Sequence, residues 1–461
     1  MALVYLVAFL VALNQFRPLI GSRGLLPAPE YLERTLFRRA PSLFHLHYSD
    51  RLFAAVAWLG IGLSAAGASG ATDVAPAGVT MLAWLVMWAL YLSIVNVGQT
   101  WYSFGWETLL LEAGFLTIFV SPADVAPPTL VLVLLRWLLF RVEFGAGLIK
   151  LRGDRCWRDL TCLDYHHETQ PMPGPLSWWF HHLPAPLHRA EVVGNHIAQL
   201  VVPFLLFLPQ PVAGAAAAAI IVTQLWLVLS GNFSWLNTVT IALALPVLGD
   251  GILVRLLPVS APDAPTDPAV WHGALAVGLF AVVTALSYRP AVNLVSPSQV
   301  MNTSFDPLRL VNTYGAFGSI TRVRREIVIE GTADDVVTSA STWLEYDFKG
   351  KPGDPRRRPR QFAPYHLRLD WLMWFVALSP GYGRSWFRPL LHRLLANDEV
   401  TLRLLRRNPF PDSPPKFVRA RVFEYRFTTR AERSQTGDWW HRTPIGELVS
   451  PLRRSTRPSD R

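Results

Sequence analysis

Charge is what this chain has least of. Only 16% of its 461 residues are Asp, Glu, Lys or Arg, against about 25% in a typical soluble domain. The deficit falls in the first two-thirds, and 51% of the whole is hydrophobic. An ordinary soluble globule is thereby excluded, and a membrane protein indicated. Lysine is nearly missing: Lys150, Lys349, Lys351 and Lys416 are the only four, and Lys150 is the one in the membrane half. Cysteine is down to Cys156 and Cys162, too few for a disulfide scaffold. No G-x-S-x-G elbow, P-loop, H-E-x-x-H or G-x-G-x-x-G is present, so the motif-bearing hydrolases, kinases, metalloproteases and nucleotide binders drop out. A non-enzymatic role with no cofactor is the expectation.

What is there is a set of long apolar runs. A bilayer core takes roughly 17–25 apolar residues as helix. Runs of that kind predict spans near 52–69, 76–97, 128–149, 192–209, 213–230, 235–255 and 271–288. Residues 1–16 are apolar but short, without the basic start or A-x-A exit of a signal peptide. They read as an incomplete span whose start lies upstream. Segment 106–121 is short and carries Glu107 and Glu112. The expectation is an α-helical multi-pass membrane bundle of seven to nine spans over 1–290, with a large loop at 151–189.

After residue 290 the pattern changes. Residues 301–461 hold 28 Lys plus Arg against 17 Asp plus Glu, a net of +11, whereas residues 1–300 are near neutral at −1. Residues 320–330 and 417–428 alternate apolar and polar, as half-buried strands do; 343–348 is a third candidate strand. Leucine spacing predicts a helix over 388–407, and 349–364 and 256–270 are Pro-rich loops. The reading is a C-terminal β-rich α+β extramembrane domain at 300–445 and a flexible basic tail at 446–461. Such charge suits solubility, membrane lipids or an acidic client. No RNA- or DNA-binding motif accompanies it, so nucleic acid is not an expected partner.

Charges inside the spans are the first candidates for function. Each costs roughly 2.5–3.5 kcal/mol to insert, so it persists only when paired or facing a polar cavity. Glu107, Glu112, Arg136, Arg141 and Glu143 form the expected network, with the two glutamates as partners for the arginines. Arg136, Glu143 and Lys150 recur at seven-residue steps, nearly two helical turns, and so share one face. Gly145 and Gly147 would let another backbone approach. The arrangement reads either as a brace for the bundle or as the wall of a substrate cavity.

The loop 151–189 is the second candidate. Five of the twelve histidines, His166, His167, His181, His182 and His188, crowd it, and His196 follows. The Cys-x5-Cys-x3-His-His spacing fits no common zinc site, so no metal is expected. Cys156 and Cys162 are a possible disulfide or two packed thiols. Trp157, Trp178 and Trp179 suit the head-group zone. Pro171, Pro173 and Pro175 stiffen the loop.

The run FGAGLIKLRGDRCWRDLTCLDYHHETQPMPGPLSWWFHHLP, 144–184, resembles the lipase maturation factor family. So do LIGSRGLLPA at 19–28, YSFGWETLLLEAGF at 102–115, LVNTYGAFGSITRVRREI at 310–327, PYHLRLDWLMWFVAL at 364–378 and NPFPDSPPKFVRARVFEYRFT at 408–428. The resemblance implies a multi-pass protein that assists maturation of secreted lipases, in the endoplasmic reticulum membrane of eukaryotes. In a bacterial source the plasma membrane takes that place. The implied partner is a client polypeptide such as a lipase, met by Trp157, Asp159, Asp164, Tyr165, His166 and Trp178 of the loop and by a basic rim of Arg322, Arg324 and Arg325. A shorter run, GAGLIKL at 145–151, is similar to the vitamin K-dependent γ-carboxylase and its bacterial membrane relatives. That similarity implies the alternative of a membrane enzyme with Lys150 as base, assisted by His166 or His167. A lipid-handling protein is the third reading. On topology, nine spans would put the basic loops and the C-terminal part together, a side the positive-inside rule makes cytoplasmic. The resemblance instead implies an extracytoplasmic C-terminal domain.

Overall fold

The computed structural model describes residues 1–72, 74–256 and 265–453. Residues 257–264 of the Pro-rich loop and 454–461 of the tail lie outside them. The membrane half is built from α1 (Ala2–Leu19), α2 (Asp50–Ala68), α3 (Ala77–Val97), α4 (Gly105–Thr117), α5 (Thr129–Arg152), α6 (Ala185–Leu200), α7 (Val212–Ser230), α8 (Leu236–Ala244) and α9 (Val270–Leu286). Among the described residues five helices are long and apolar enough to cross a membrane: α1, α2, α3, α7, and α9 continued to Val295. Local chemistry sets their starts. Pro76, Pro128, Pro184 and Pro211 stand at the N-caps of α3, α5, α6 and α7, where an absent N–H costs nothing. Ser49 caps α2 by accepting the Leu52 N–H at 3.1 Å.

Three expected spans take a different form. Residues 1–16 belong to an 18-residue helix, α1, long and apolar enough to cross a membrane. The run at 192–209 breaks at Val201, where α6 ends and a short helix, Val202–Leu205, begins. Pro203 carries no N–H to continue the ladder. The run at 235–255 divides into α8, a 3-10 turn containing Pro246, and a helix at Asp250–Leu256.

The C-terminal part centres on a four-stranded antiparallel sheet ordered β2-β1-β5-β6, from β1 (Arg324–Thr332), β2 (Leu344–Glu345), β5 (Phe417–Phe427) and β6 (Trp440–Arg453). A two-stranded sheet joins β3 (Asp347–Phe348) to β4 (Leu405–Arg407). In the β1–β5 register Ile327 faces Val422 and Ile329 faces Ala420. One sheet face buries Ile327, Ile329, Val418 and Ala420 against α10 (Arg368–Leu378) and α11 (Phe387–Leu395). On α11, Leu390, Leu391 and Leu394 are fully buried, each contributing about 1.5–3 kcal/mol.

Two departures from the sequence reading stand out. The helix expected over 388–407 stops at Leu395, because Asn397 takes a left-handed φ of 54° and Asp398 caps a new short helix at Glu399–Leu402. Residues 446–453, read as loose tail, continue β6. β6 is set up by the connector before it: Thr429 and Glu432 form a capping box for the helix Arg430–Thr436, which Gly437 ends at a φ of 76°.

The two halves are packed together. Gln15 of α1 donates to the His366 carbonyl at 2.7 Å and accepts the Arg368 N–H at 3.1 Å. Trp371 of α10 meets the stacked Phe104 and Trp106 edge-on.

Candidate functional site

The buried charges of the bundle are each held by specific partners. Arg141 on α5 forms an ion pair with Glu112 on α4 and donates to the Asn312 carbonyl at 2.6 Å. Glu112 also accepts from the Asn312 N–H and amide, both at 2.9 Å, and from the Tyr314 hydroxyl at 2.6 Å. The segment after the last span therefore returns into the bundle and is tied there. Gly145 makes this possible: a Cβ there would lie 2.5 Å from the Tyr314 carbonyl oxygen. Breaking one member of such a buried pair costs about 3–5 kcal/mol, because the other charge is stranded.

Glu107 does not pair with an arginine of α5. Its partner is Arg368 of α10 at 2.7 Å, with Tyr91 hydrogen-bonded to the same carboxylate. Arg368 also donates to the Trp101 carbonyl at 2.6 Å and stacks 3.4 Å over Tyr102. Among the described residues Arg136 takes no part in an ion pair; it donates to the Leu206 carbonyl at 3.3 Å. Glu143 accepts from Gln224 at 2.6 Å, and Gln224 from Asn237 at 2.7 Å. Lys150 donates to Asn195 and Gln199, both at 2.8 Å, and lies 4.9 Å over the Trp157 ring. The shared face of Arg136, Glu143 and Lys150 thus looks toward the segment from α6 to α7. Arg368, Gln224, Asn237, Asn195 and Gln199 were missed from sequence; amides inside apolar runs were the available signal.

The loop 151–189 is a folded unit. Cys156 and Cys162 form a disulfide with Cα atoms 4.8 Å apart. It is buried with Trp157, Leu163, Val192 and Ile320. The Trp157 indole donates to the Phe317 carbonyl at 2.8 Å, and His196 meets the Trp157 carbonyl at 3.0 Å. The histidines pair with acids singly: His188 with Asp164 at 3.3 Å, His181 with Glu168 at 3.6 Å, His167 with Glu191 at 3.9 Å. Among the described residues no three His, Cys, Asp or Glu converge on a metal position.

One buried arginine makes the densest set of bonds between this loop and the sheet. Arg324, on β1, is buried. It donates to the carbonyls of Glu168 at 2.9 Å, Gln170 at 2.5 Å and Pro171 at 3.1 Å, and twice to Glu326 at 2.9 and 2.6 Å. A guanidinium has five N–H donors, and all five are used. Lys351 also pairs with Glu326, at 2.9 Å. Nearby, Glu168 accepts the Phe427 N–H at 2.5 Å and Trp178 donates to the Thr428 carbonyl at 2.8 Å. Burial pushes the Glu168 carboxyl up to about 7, against the lowering effect of Phe427, Arg324 and Arg426. Burial, then the neighbouring histidines, push His181 down to about 3.

The nine expected client contacts divide by exposure. Asp159, Asp164, Arg322 and Arg325 are exposed and Tyr165 is half-buried. Arg322 lies 5.6 Å over the Tyr165 ring, which joins loop and sheet into one surface. Trp157, His166, Trp178 and Arg324 are buried. Arg324 is no rim residue, because its donors are spent on the loop backbone and on Glu326. Trp157 and Trp178 are not head-group anchors either, since each indole N–H is bonded inside the protein.

The chain is similar along nearly its whole length to known proteins. Residues 1–255 match the lipase maturation factor transmembrane domain and residues 310–450 the lipase maturation factor C-terminal domain. Lipase maturation factor 1 of Bos taurus is 44% identical, over 98% of this chain and 88% of that protein. Lipase maturation factor 1 of Homo sapiens is 42% identical, over 98% and 86%. Lipase maturation factor 2 of Mus musculus is 30% identical, over 97% and 81%. No solved structure matches. Membrane-spanning helices, a C-terminal β-containing part and matches to both family domains make this chain a member of the lipase maturation factor family.

Proposed function

We propose that this chain is a membrane-embedded maturation factor that assists the folding of exported lipases. The observation that carries the reading is the match along 98% of the chain to lipase maturation factor 1. The client is held by the surface that Asp159, Asp164 and Tyr165 share with Arg322 and Arg325. Buried Trp157, His166, Trp178 and Arg324 keep that surface in shape. The bundle crosses the membrane seven to nine times, with α5 as one of the spans. Its 24 residues give about 36 Å of helix against a core of about 30 Å, and its charges are met inside the bundle. The C-terminal domain lies on the extracytoplasmic side, where exported clients fold. In a eukaryotic cell the membrane is that of the endoplasmic reticulum; in a bacterium it is the plasma membrane.

The test is co-expression with a secreted lipase, reading active enzyme per mass of lipase. Replacing Asp159, Asp164, Arg322 and Arg325 together by Ala lowers that ratio at least several-fold, while Lys150→Met, at a site filled by Asn195 and Gln199, leaves most of it. An unaffected ratio in the fourfold variant contradicts the proposed surface. Loss confined to a folded Lys150→Met protein supports the enzyme reading instead.

A further inference from the structure

At the corner where the loop meets β6, two arginines are held against the same two indoles. The Arg358 guanidinium lies 4.8 Å from the Trp179 ring centre and 5.3 Å from that of Trp439. Arg433 lies 3.6 Å from Trp439, 5.2 Å from Trp179 and 4.7 Å from Trp178. Stacking uses the faces of a guanidinium and leaves its N–H edge free. Arg358 spends Nε and Nη2 on the Pro175 carbonyl, at 3.3 and 3.1 Å. The Arg433 side chain donates to no atom of the described residues, and no carboxylate among them pairs with either arginine. Both guanidiniums lie within 5.3 Å of the same two ring centres, and burial first, then the Arg358 charge, lowers the Arg433 pKa. An anion between them would remove that cost.

The location says which anion. Trp179 is 39% exposed and Leu176, three residues before it, 36%. Phe180 packs edge-on against Trp226 at 4.9 Å. Trp226 is 42% exposed on α7, a helix apolar enough to cross the membrane, and sits one turn before its end at Ser230, a rise of about 6 Å. Val222, Leu225 and Leu229 of α7 are also exposed. Trp179 therefore continues the exposed surface of α7 at the level where tryptophans meet head groups, with buried Trp439 packed behind it.

We propose that Arg358 and Arg433, stacked on Trp179 and Trp439, bind the phosphate of an anionic phospholipid at the rim of the bundle. Arginine suits this role because its planar fork grips phosphate oxygens while its face rests on an aromatic ring. The bound lipid seats the sheet domain on the membrane surface beside the loop, so this corner is a foot and not part of the client surface.

The experiment is native mass spectrometry of the full-length protein in detergent, with phosphatidylglycerol or phosphatidylcholine added at equal concentration. The wild type retains phosphatidylglycerol in preference. Arg358→Gln with Arg433→Gln lowers that retention about thirtyfold, from about 1 kcal/mol per arginine, and leaves phosphatidylcholine unchanged. Should the double variant aggregate, Arg433→Gln alone carries the test, because that side chain makes no hydrogen bond the fold would lose. Retention unaltered by the substitutions, or equal for the two lipids, overturns the proposal. Displacement of phosphatidylglycerol by millimolar inorganic phosphate also overturns it, by marking a site for free phosphate.

Discussion

Replacing Arg324 should unfasten the loop from the sheet without unfolding either. In Arg324→Lys the charge remains, and Glu326 keeps Lys351 as a partner. A lysine has three donors in place of five, so at least two of the five bonds are lost. The three carbonyls, of Glu168, Gln170 and Pro171, are the acceptors a compact ammonium cannot all reach. Hydrogen bonds to a charged group contribute about 1.5–3 kcal/mol each, so the joint loses at least about 3 kcal/mol. Opening of the segment around 168–171 then becomes on the order of a hundredfold more frequent. Amide hydrogen exchange of the detergent-solubilised protein reads this directly. Peptides covering 163–172 should exchange faster by that factor, while α3 and α11 stay protected. Unchanged exchange in the loop would refute the claim that this buried arginine is a main tie of the joint. Uniformly faster exchange everywhere would refute the claim that the joint opens independently.

Three further outcomes follow from the geometry. Glu112→Gln strands Arg141 inside the bundle and should cost about 3–5 kcal/mol, whereas Glu112→Leu with Arg141→Met should cost less; thermal melting in detergent ranks the two. At the loop–sheet joint, a raised Glu168 makes the contact weaken as pH rises from about 4.3 to about 7, while a depressed His181 makes it strengthen from about 3 to about 6.5, so the two slopes oppose each other. Glu168→Gln should expose the histidine slope alone, with the protection factor of the Phe427 amide, taken against its intrinsic exchange rate at each pH, falling below about pH 6.5; a pH-independent protection factor would count against it. Replacing Cys156 and Cys162 by Ser removes a loop closure across a separation of six residues, about 2 kcal/mol, and should lower the melting temperature by a few degrees without abolishing folding.

Which parts of this fold could be read from sequence follows from how each is stabilised. The apolar runs of α2, α3, α7 and α9 were legible because lipid demands them whatever their neighbours. β1 and β5 were legible because each has one face on a core, which imposes alternation. β6 was not. As an edge strand paired only with β5, and largely exposed, it carries Pro444 and Pro451 and needs no apolar face. Arg324 looked like one more basic residue in TRVRREI, because the carbonyls it binds lie more than 150 positions away. Glu107 was assigned to the nearest arginines in sequence, while its partner, Arg368, lies 261 positions on in α10. The acids and arginines of the proposed client surface could be picked out by residue type. Whether each was exposed depended on contacts that no local pattern encodes.

The central claim is that a client rests on the surface shared by the loop and the sheet, and photo-crosslinking tests it most directly. A photoreactive amino acid is placed at Asp164, Arg322 or Arg325, and separately at Trp226 on the lipid-facing side of α7, in cells co-expressing a secreted lipase. The account predicts lipase adducts from the first three positions and none from Trp226. Adducts from Trp226 alone, or none from the first three while active lipase is still produced, would contradict it.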